Sequence, residues 1–561
     1  MGFFKALKKA VKGLGGGDED FASQVYGLFE EYRSAYASEW QRLENNEKIY
    51  RGDHWYDVPR EDPNEPQPVT PVIQSTIENV SADLMDSFPE AIIQPESPED
   101  QQIARVLEAV IRQNHDAAAY DREWRKLSHD LLVGGYMVQE VGYDPMLNNG
   151  LGGAYIRHVD GQNILFDPLV TDVQESRAVI KFSAKPVKWL DQHYPKHAPF
   201  GTDQYTFATP KDDLLTVDET KQTLLLEFWW REVDPATGRY RVHMCKAAGG
   251  KIIEDSREQK PEGYFSHGQY PFVVTPLFIR KGSCLGYGFV DMFETQQRYA
   301  DKLDQIVLKN AVMASRNKLL VTGASGFDAD DLRDWSKEVH KGESLNGITW
   351  FTTPPLPNYI LQYIEKIRRD IKEESGANDF SRGNTGQGVT AASAIMALQE
   401  ASSKRSRMAA RQMHAAYKDA VRMEIEVERE FNVLPREVRM TVGGRPQKAT
   451  FESALMQRET ALGNTIPIEF FISIKVQREN VWTVRAHNEL MIQMVQLGIL
   501  QPPQALELMQ FEGRESVLDK TNQADRVSPE EQQARQMQQA QAQAQMAGEM
   551  QQIPTPEAAF G

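Results

Sequence analysis

The chain has 561 residues, 40 % hydrophobic and 25 % charged, with a formal net charge of −17; this composition suits a soluble globular protein with room for several domains. Such acidity argues against a conventional DNA-gripping domain, whose basic face neutralises phosphates, though not against a protein that encloses DNA and lets it slide. Two cysteines, Cys245 and Cys284, leave room for one bridge at most, exclude a disulfide framework or a Cys/His zinc site, and point to a reducing compartment. No cleavable signal sequence is expected, and apolar stretches such as Leu224 to Trp230 fall far short of a membrane span.

Residues 1–20 read as a flexible basic tail. Phe3, Phe4, Leu7, Val11 and Leu14 lie at helical spacing opposite Lys5, Lys8, Lys9 and Lys12, a pattern that suits contact with a membrane or a partner or a frayed helix that orders only within an assembly. Helical periodicity follows from Phe21 to Tyr50, and Gly52 and the proline run Pro59 to Pro71 break it. It resumes at Val72–Ser87, Glu99–His115 and Tyr120–Leu132. Gly134-Gly135 then marks a switch to strands at Tyr136–Tyr143, Ala154–Val159, Ala178–Phe182, Thr223–Trp230, Arg239–Lys246 and Phe272–Ile279, the grouping expected of an α+β domain.

From Phe289 to Ser315 there is neither Gly nor Pro, and Met292, Tyr299, Leu303, Ile306 and Met313 follow spacings of three, four or seven, which predicts one amphipathic helix about 40 Å long. A compact excursion comes next: a strand at Leu319–Val321, a turn at Gly323-Ala324-Ser325-Gly326, a helix opening at Asp328 and a strand at Ile348–Phe351. Ile360, Ile364, Ile367 and Ile371 mark a second helix that stops at Gly376. A polar, glycine-rich loop leads to Thr390, the expected N-cap of a third helix running to Phe431. Strands are expected again at Val438–Val442 and Glu469–Val476, then helices at Val481–Leu497 and Pro503–Gln510. The Gln/Ala/Met-rich stretch from Glu530 to Gln552 is low in complexity, compatible with a bundled helix or with disorder.

No catalytic signature survives inspection. GxxxxGK[ST] is absent, since Ile252 follows Gly250-Lys251 where a magnesium-binding hydroxyl is needed. Gly323-Ala324-Ser325-Gly326 is one residue short of a nucleophile elbow and reads as a turn. Glu365–Glu374 interleaves acids and bases at i,i+4, the pattern of a solvated helix face. Lys404, Arg405, Arg407 and Arg411 form a basic patch without interleaved aromatics, able to meet DNA or an acidic neighbouring subunit. No catalytic, cofactor or metal residues are assigned.

The order of helix, small α/β excursion, helix, glycine-rich loop and long helix resembles the stem, clip and tunnel loop of tailed-bacteriophage portal proteins, the head-to-tail connectors. Upstream, Asn46, Tyr50, Gly52 and Trp55 look like the family's opening. Val69-Thr70-Pro71-Val72-Ile73, Phe88-Pro89, Ile92-Ile93-Gln94-Pro95, Gly134-Gly135-Tyr136, Phe166-Asp167-Pro168, Asp172 and Arg177-Ala178 fit the family's next segments. The pieces are individually loose; their shared order over about residues 25–500 carries the resemblance.

The resemblance implies an α+β, mainly helical subunit of non-enzymatic portal type. Its wing would be residues 21–285, stem helix one 286–315, clip 316–356, stem helix two 357–375, tunnel loop 376–389 and long helix 390–431. The C-terminal part of the wing would be 432–499, and a helical crown and Gln-rich tail 500–561. Twelve such subunits would form a DNA channel at one capsid vertex of the virion, after assembly in the host cytoplasm. Its partners would be non-specifically held double-stranded DNA, the terminase large subunit, capsid and scaffold proteins, and tail or adaptor proteins, with no stable membrane association. Leu303, Ile306, Ile360, Ile364, Ile367 and Ile371 would pack the stem. Ser381, Arg382, Gly383, Asn384, Thr385, Gly386, Gln387 and Gly388 would face DNA: one charge and mainly small polar groups contact phosphate oxygens without base readout and without the drag of a lysine cluster. Two other classes stay open on sequence alone, a structural scaffold or tail adaptor without a tunnel and a metal-dependent nucleic-acid enzyme with scattered carboxylates.

Overall fold

The computed structural model describes residues 18–60, 62–63, 65–202, 222–235, 238–315, 318–333, 338–343, 345–351, 354–376, 404–442, 445–459, 465–476 and 481–509. Most of the basic tail, the whole segment Ser381–Gly388, the start of the long helix and the Gln-rich C-terminus lie outside them. The chain divides into two packed units, Met1–Met440 with Lys448–Gln477, and Thr441–Gln447 with Arg478–Gly561.

In the first unit, helix α1 (Asp18–Tyr50) turns Val25, Phe29, Tyr32 and Tyr36 into the core at the three- and four-residue spacing of one helix face. Helices α2 (Val72–Met85), α3 (Gln101–Ala117) and α4 (Tyr120–Val133) follow, with strand β1 (Pro89–Pro95) between α2 and α3. Helix α4 ends at Gly134-Gly135. Gly135 has φ +89°, and a Cβ there would stand 2.3 Å from the Tyr287 carbonyl carbon. Only glycine lets the chain leave the helix so close to another backbone.

Strands β2 (Tyr136–Asp144), β3 (Gly153–Val159), β4 (Ile164–Phe166), β5 (Ala178–Pro186), β6 (Gln222–Val233), β7 (Tyr240–Ala248), β8 (Lys251–Asp255) and β9 (Phe272–Pro276) come next. They form a three-stranded sheet in the order β3-β2-β9 and a five-stranded sheet β4-β5-β6-β7-β8, both antiparallel. Phe182 lies under α1, where Phe29 meets it edge-on with centroids 5.4 Å apart, and Phe166 at the end of β4 meets Tyr36 of the same helix at 5.8 Å. On the opposite face Lys181 bridges Glu140 (2.9 Å) and Glu227 (3.1 Å), and Lys246 pairs with Glu254 at 2.7 Å. Burial, the largest influence on Glu140, raises its pKa, and Lys181 opposes that rise.

Helices α5 (Phe289–Ser315), α6 (Tyr359–Ser375) and α7 (Lys404–Phe431) follow, with strands β10 (Lys318–Val321) and β11 (Ile348–Phe351) between α5 and α6. Strands β12 (Arg436–Val442), β13 (Arg445–Phe451) and β14 (Phe470–Val476) come after α7. Strand β14 pairs with β1, setting Ala91 against Ile474 and Ile93 against Ile472. In the second unit, helices α8 (Val481–Gln496) and α9 (Pro502–Leu508) are joined through Gly498 at φ +73°, and Met491 and Ala505 are buried.

Candidate functional site

The feature that sets this architecture apart is the antiparallel hairpin of α5 and α6. Its root is held by polar groups. Asn46 donates to the Val133 carbonyl and to Asp291 at 3.1 and 3.0 Å, and Arg42 donates to Asp291 at 2.5 Å and to the Gly134 carbonyl at 2.8 Å. Burial works to lower the Arg42 pKa, but the Glu39 hydrogen bond and the Asp291 charge outweigh it and hold the guanidinium charged. Farther along α5, Asp301 sits 2.6 Å from Nδ1 of His54, both side chains about 1 % exposed. Asp301 also accepts from the Thr70 amide at 3.2 Å. The Gln297 carbonyl oxygen accepts from the Val72 and Ile73 amides at 3.2 and 3.4 Å, so an α5 side chain satisfies the open N-terminus of α2. Asp304 takes Thr70 on one side and Arg368 of α6 on the other. Asn46, His54 and Thr70, drawn from the upstream segments that resemble portal proteins, thus all lock onto α5.

Alongside these ties α6 turns an apolar face inward. Ile364, Ile367 and Ile371 are buried, and Leu303 and Ile360 are half-buried. Ile306 departs from the expectation: it is 46 % exposed and turned out of the seam. Met292, Tyr299 and Met313, on the same helix line, are exposed as well, at 37, 59 and 45 %. The face of α5 that is buried instead consists of Phe289, Val290, Phe293, Gln297, Ala300 and Asp301. Two of these six are polar because they tie down the Thr70 segment, so the covered side of the helix differs from the side its apolar period picks out.

At the hairpin's tip, β10 and β11 pair antiparallel, Leu319 against Trp350 and Val321 against Ile348. Beneath the ribbon, the Thr322 amide donates to the Gly347 carbonyl at 2.9 Å and the Ser325 hydroxyl to the Thr322 carbonyl at 2.7 Å. Ser325 is therefore a turn-forming residue with its hydroxyl occupied, as the turn reading of Gly323–Gly326 expects. Leu320, Trp350 and Phe351 stay exposed.

Of the basic patch, Lys404 and Arg411 are exposed and Arg405 and Arg407 half-buried, all within about the first two turns of α7. Sequence reasoning missed a buried polar anchor further along this helix. Glu428, fully buried, accepts from Asn114 at 2.6 Å, the Ala154 amide at 2.8 Å and Asn432 at 2.7 Å, and pairs with Arg436 at 3.4 Å. One turn earlier Glu424 lies 2.9 Å from Nε2 of His115. Burial raises the Glu424 pKa, and His115 opposes the rise. Glu424 and Glu428 share the helix line of Tyr417 and Val421, but their partners Asn114, His115 and Ala154 lie far off in the sequence.

No group of three or more His, Cys, Asp or Glu side chains able to hold a metal occurs among the described residues. No helix among them is long and apolar enough to cross a membrane. A family model described as phage P22-like portal protein matches residues 26–560. No curated protein matches the chain.

Proposed function

The chain belongs to the phage P22-like portal protein family, and from that premise we propose that it builds a DNA channel at one capsid vertex. The family is a structural one of homo-oligomeric, capsid-associated rings, the head-to-tail connectors of bacteriophages. The finer reading is that about twelve copies close the ring, a count that rests on the resemblance in the sequence. The genome passes through it under the force of an external terminase, whose large subunit docks on the tip domain, and tail or adaptor proteins later take that place. Capsid and scaffold proteins meet the outer body during assembly in the host cytoplasm.

One observation supports this reading above the rest: the α5–α6 hairpin, rooted by Asp301 and Asp304 and ending in the small β10–β11 domain. A single compact core has no need of such a projection. A ring does, because hairpins side by side make a tube. The segment Ser381–Gly388 follows the hairpin in the chain and precedes α7, which suits a finger reaching into that tube. Its near-neutral, glycine-rich make-up suits DNA that must slide.

Electron microscopy of the purified full-length chain tests the proposal. Rings with a central channel wide enough for duplex DNA are expected. Compact monomers under every assembly condition, or rings closed at the centre, would overturn it.

A further inference from the structure

The hairpin's apolar residues outnumber those its own seam uses, and the surplus falls on two opposite sides. Thr70 fixes the directions, because it touches both Asp304 of α5 and Arg368 of α6. Leu308 lies one turn beyond Asp304, and Leu361 lies two turns before Arg368. Both therefore continue toward the tip on the Thr70 side, and both are exposed. Ile306 and Met313 stand about half a turn round α5 from that side, and Tyr363 is displaced in the same sense on α6. These three are also exposed.

The line from Met292 through Tyr299 and Ile306 to Met313 repeats every seven residues over about 30 Å, the period of a helix that packs along another helix. The occupant is constrained further by charge. Lys302, beside this line, has no acidic partner among the described residues, and neither Glu365 nor Glu373 of α6 has a basic one. Apolar stripes bordered by unpaired opposite charges are the usual make-up of a helix–helix contact between chains.

We propose that the outer stripe of one hairpin, Ile306, Met313 and Tyr363, packs against the Thr70-side flank, Leu308 and Leu361, of the next copy of this chain. This rests on the ring reading and adds to it which surfaces meet. Two different faces on opposite sides of one element make a head-to-tail contact, and repetition of such a contact closes a ring. A self-complementary face would instead stop at a dimer. Rotation about an axis along the hairpin leaves height unchanged, so Ile306 of one copy meets Leu308 of the next within about 3 Å of axial offset.

Disulfide trapping tests the contact, since Cys245 and Cys284 are both buried and give little background. Mild oxidation of the double variant Ile306→Cys/Leu308→Cys is expected to produce a ladder of covalent oligomers on a non-reducing gel, while each single variant stays monomeric. A second measurement covers poor folding of that variant: Tyr363→Asp should cut the ring yield about tenfold or more and leave the thermal unfolding of the free subunit unchanged. Rings seen by microscopy without a ladder, or Tyr363→Asp rings in normal yield, would overturn the contact and spare the ring. Absence of rings in the unsubstituted protein would overturn both.

Discussion

Replacing Arg436 with Met asks how firmly α7 is tied to the body. Arg436 is about 2 % and Glu428 0 % exposed at the side chain, and the pair is 3.4 Å apart. Removing one partner of such a pair commonly costs about 3–5 kcal/mol, because the other charge stays buried. Here Glu428 keeps three donors, from Asn114, Ala154 and Asn432, and the Gly152 carbonyl keeps Asn148 at 3.1 Å after losing Arg436 at 2.9 Å. Those survivors put the cost near the lower end, about 3 kcal/mol. Native-state hydrogen exchange reads it locally: amides of α7 between Tyr417 and Phe431 should exchange about 150-fold faster, and those of the five-stranded sheet much less. Glu428→Gln alone should cost a similar amount by stranding Arg436. The double variant should cost clearly less than the sum, since neither charge is then left alone. Strict additivity, or acceleration spread evenly over sheet and helix, would refute the view that these charges hold α7 as a pair.

Ile364→Asp puts an unpaired carboxylate into the α5–α6 seam, where Ile364 is 4 % exposed. A loss of at least about 3 kcal/mol is expected, seen as faster exchange in α6 and as lost rings by negative stain; intact rings would count against the seam. Deleting Ser381–Gly388 should leave rings intact and impair packaging or retention of DNA, and normal genome-filled particles from that variant would refute the channel-loop role. The contact of His129 with Glu47, 3.0 Å apart, should give stability a bounded pH range. Burial works to lower the His129 pKa, but the Glu47 hydrogen bond and charge raise it overall. Its contribution is therefore complete below the ordinary imidazole pKa and fades as pH rises through the elevated one. Burial works to raise the Glu47 pKa, but His129 and Arg51 lower it overall, so its share holds above the ordinary carboxylate range and fades as pH falls through the depressed value. Thermal unfolding against pH should lose its alkaline limb in His129→Gln, and an unchanged profile would exclude the pair as its source.

Local order in the chain was legible where one element answers to its own period or punctuation. Gly134-Gly135 marked the turn from α4 into β2 because a backbone passing within van der Waals distance of Tyr287 admits no side chain. The isoleucines of α6 share one face at three- and four-residue spacing, and Ile364, Ile367 and Ile371 are buried there. What stayed hidden depends on partners far off in sequence. Strand β1 opens and closes on proline and pairs with β14 near the other end of the described chain, so no local pattern announces it. Glu428 looks like any surface glutamate until Asn114, Ala154 and Arg436 are brought around it.

Helix α5 shows why periodicity misled at the hairpin and why the error is informative. Hydrophobic spacing finds the side of a helix that avoids water, without saying whose atoms cover it. On α5 the subunit covers a side bearing Gln297 and Asp301, since the Thr70 segment and the start of α2 offer unpaired amides there, and buried donors must find acceptors. The side the apolar period picks out is left in solvent by the isolated subunit. An apolar line of that length on a projecting helix is a standing cost in water unless an assembly covers it. In a chain that belongs to a ring-forming family, the stripe that periodicity picks out on α5 is better read as the edge proposed above to meet the next subunit.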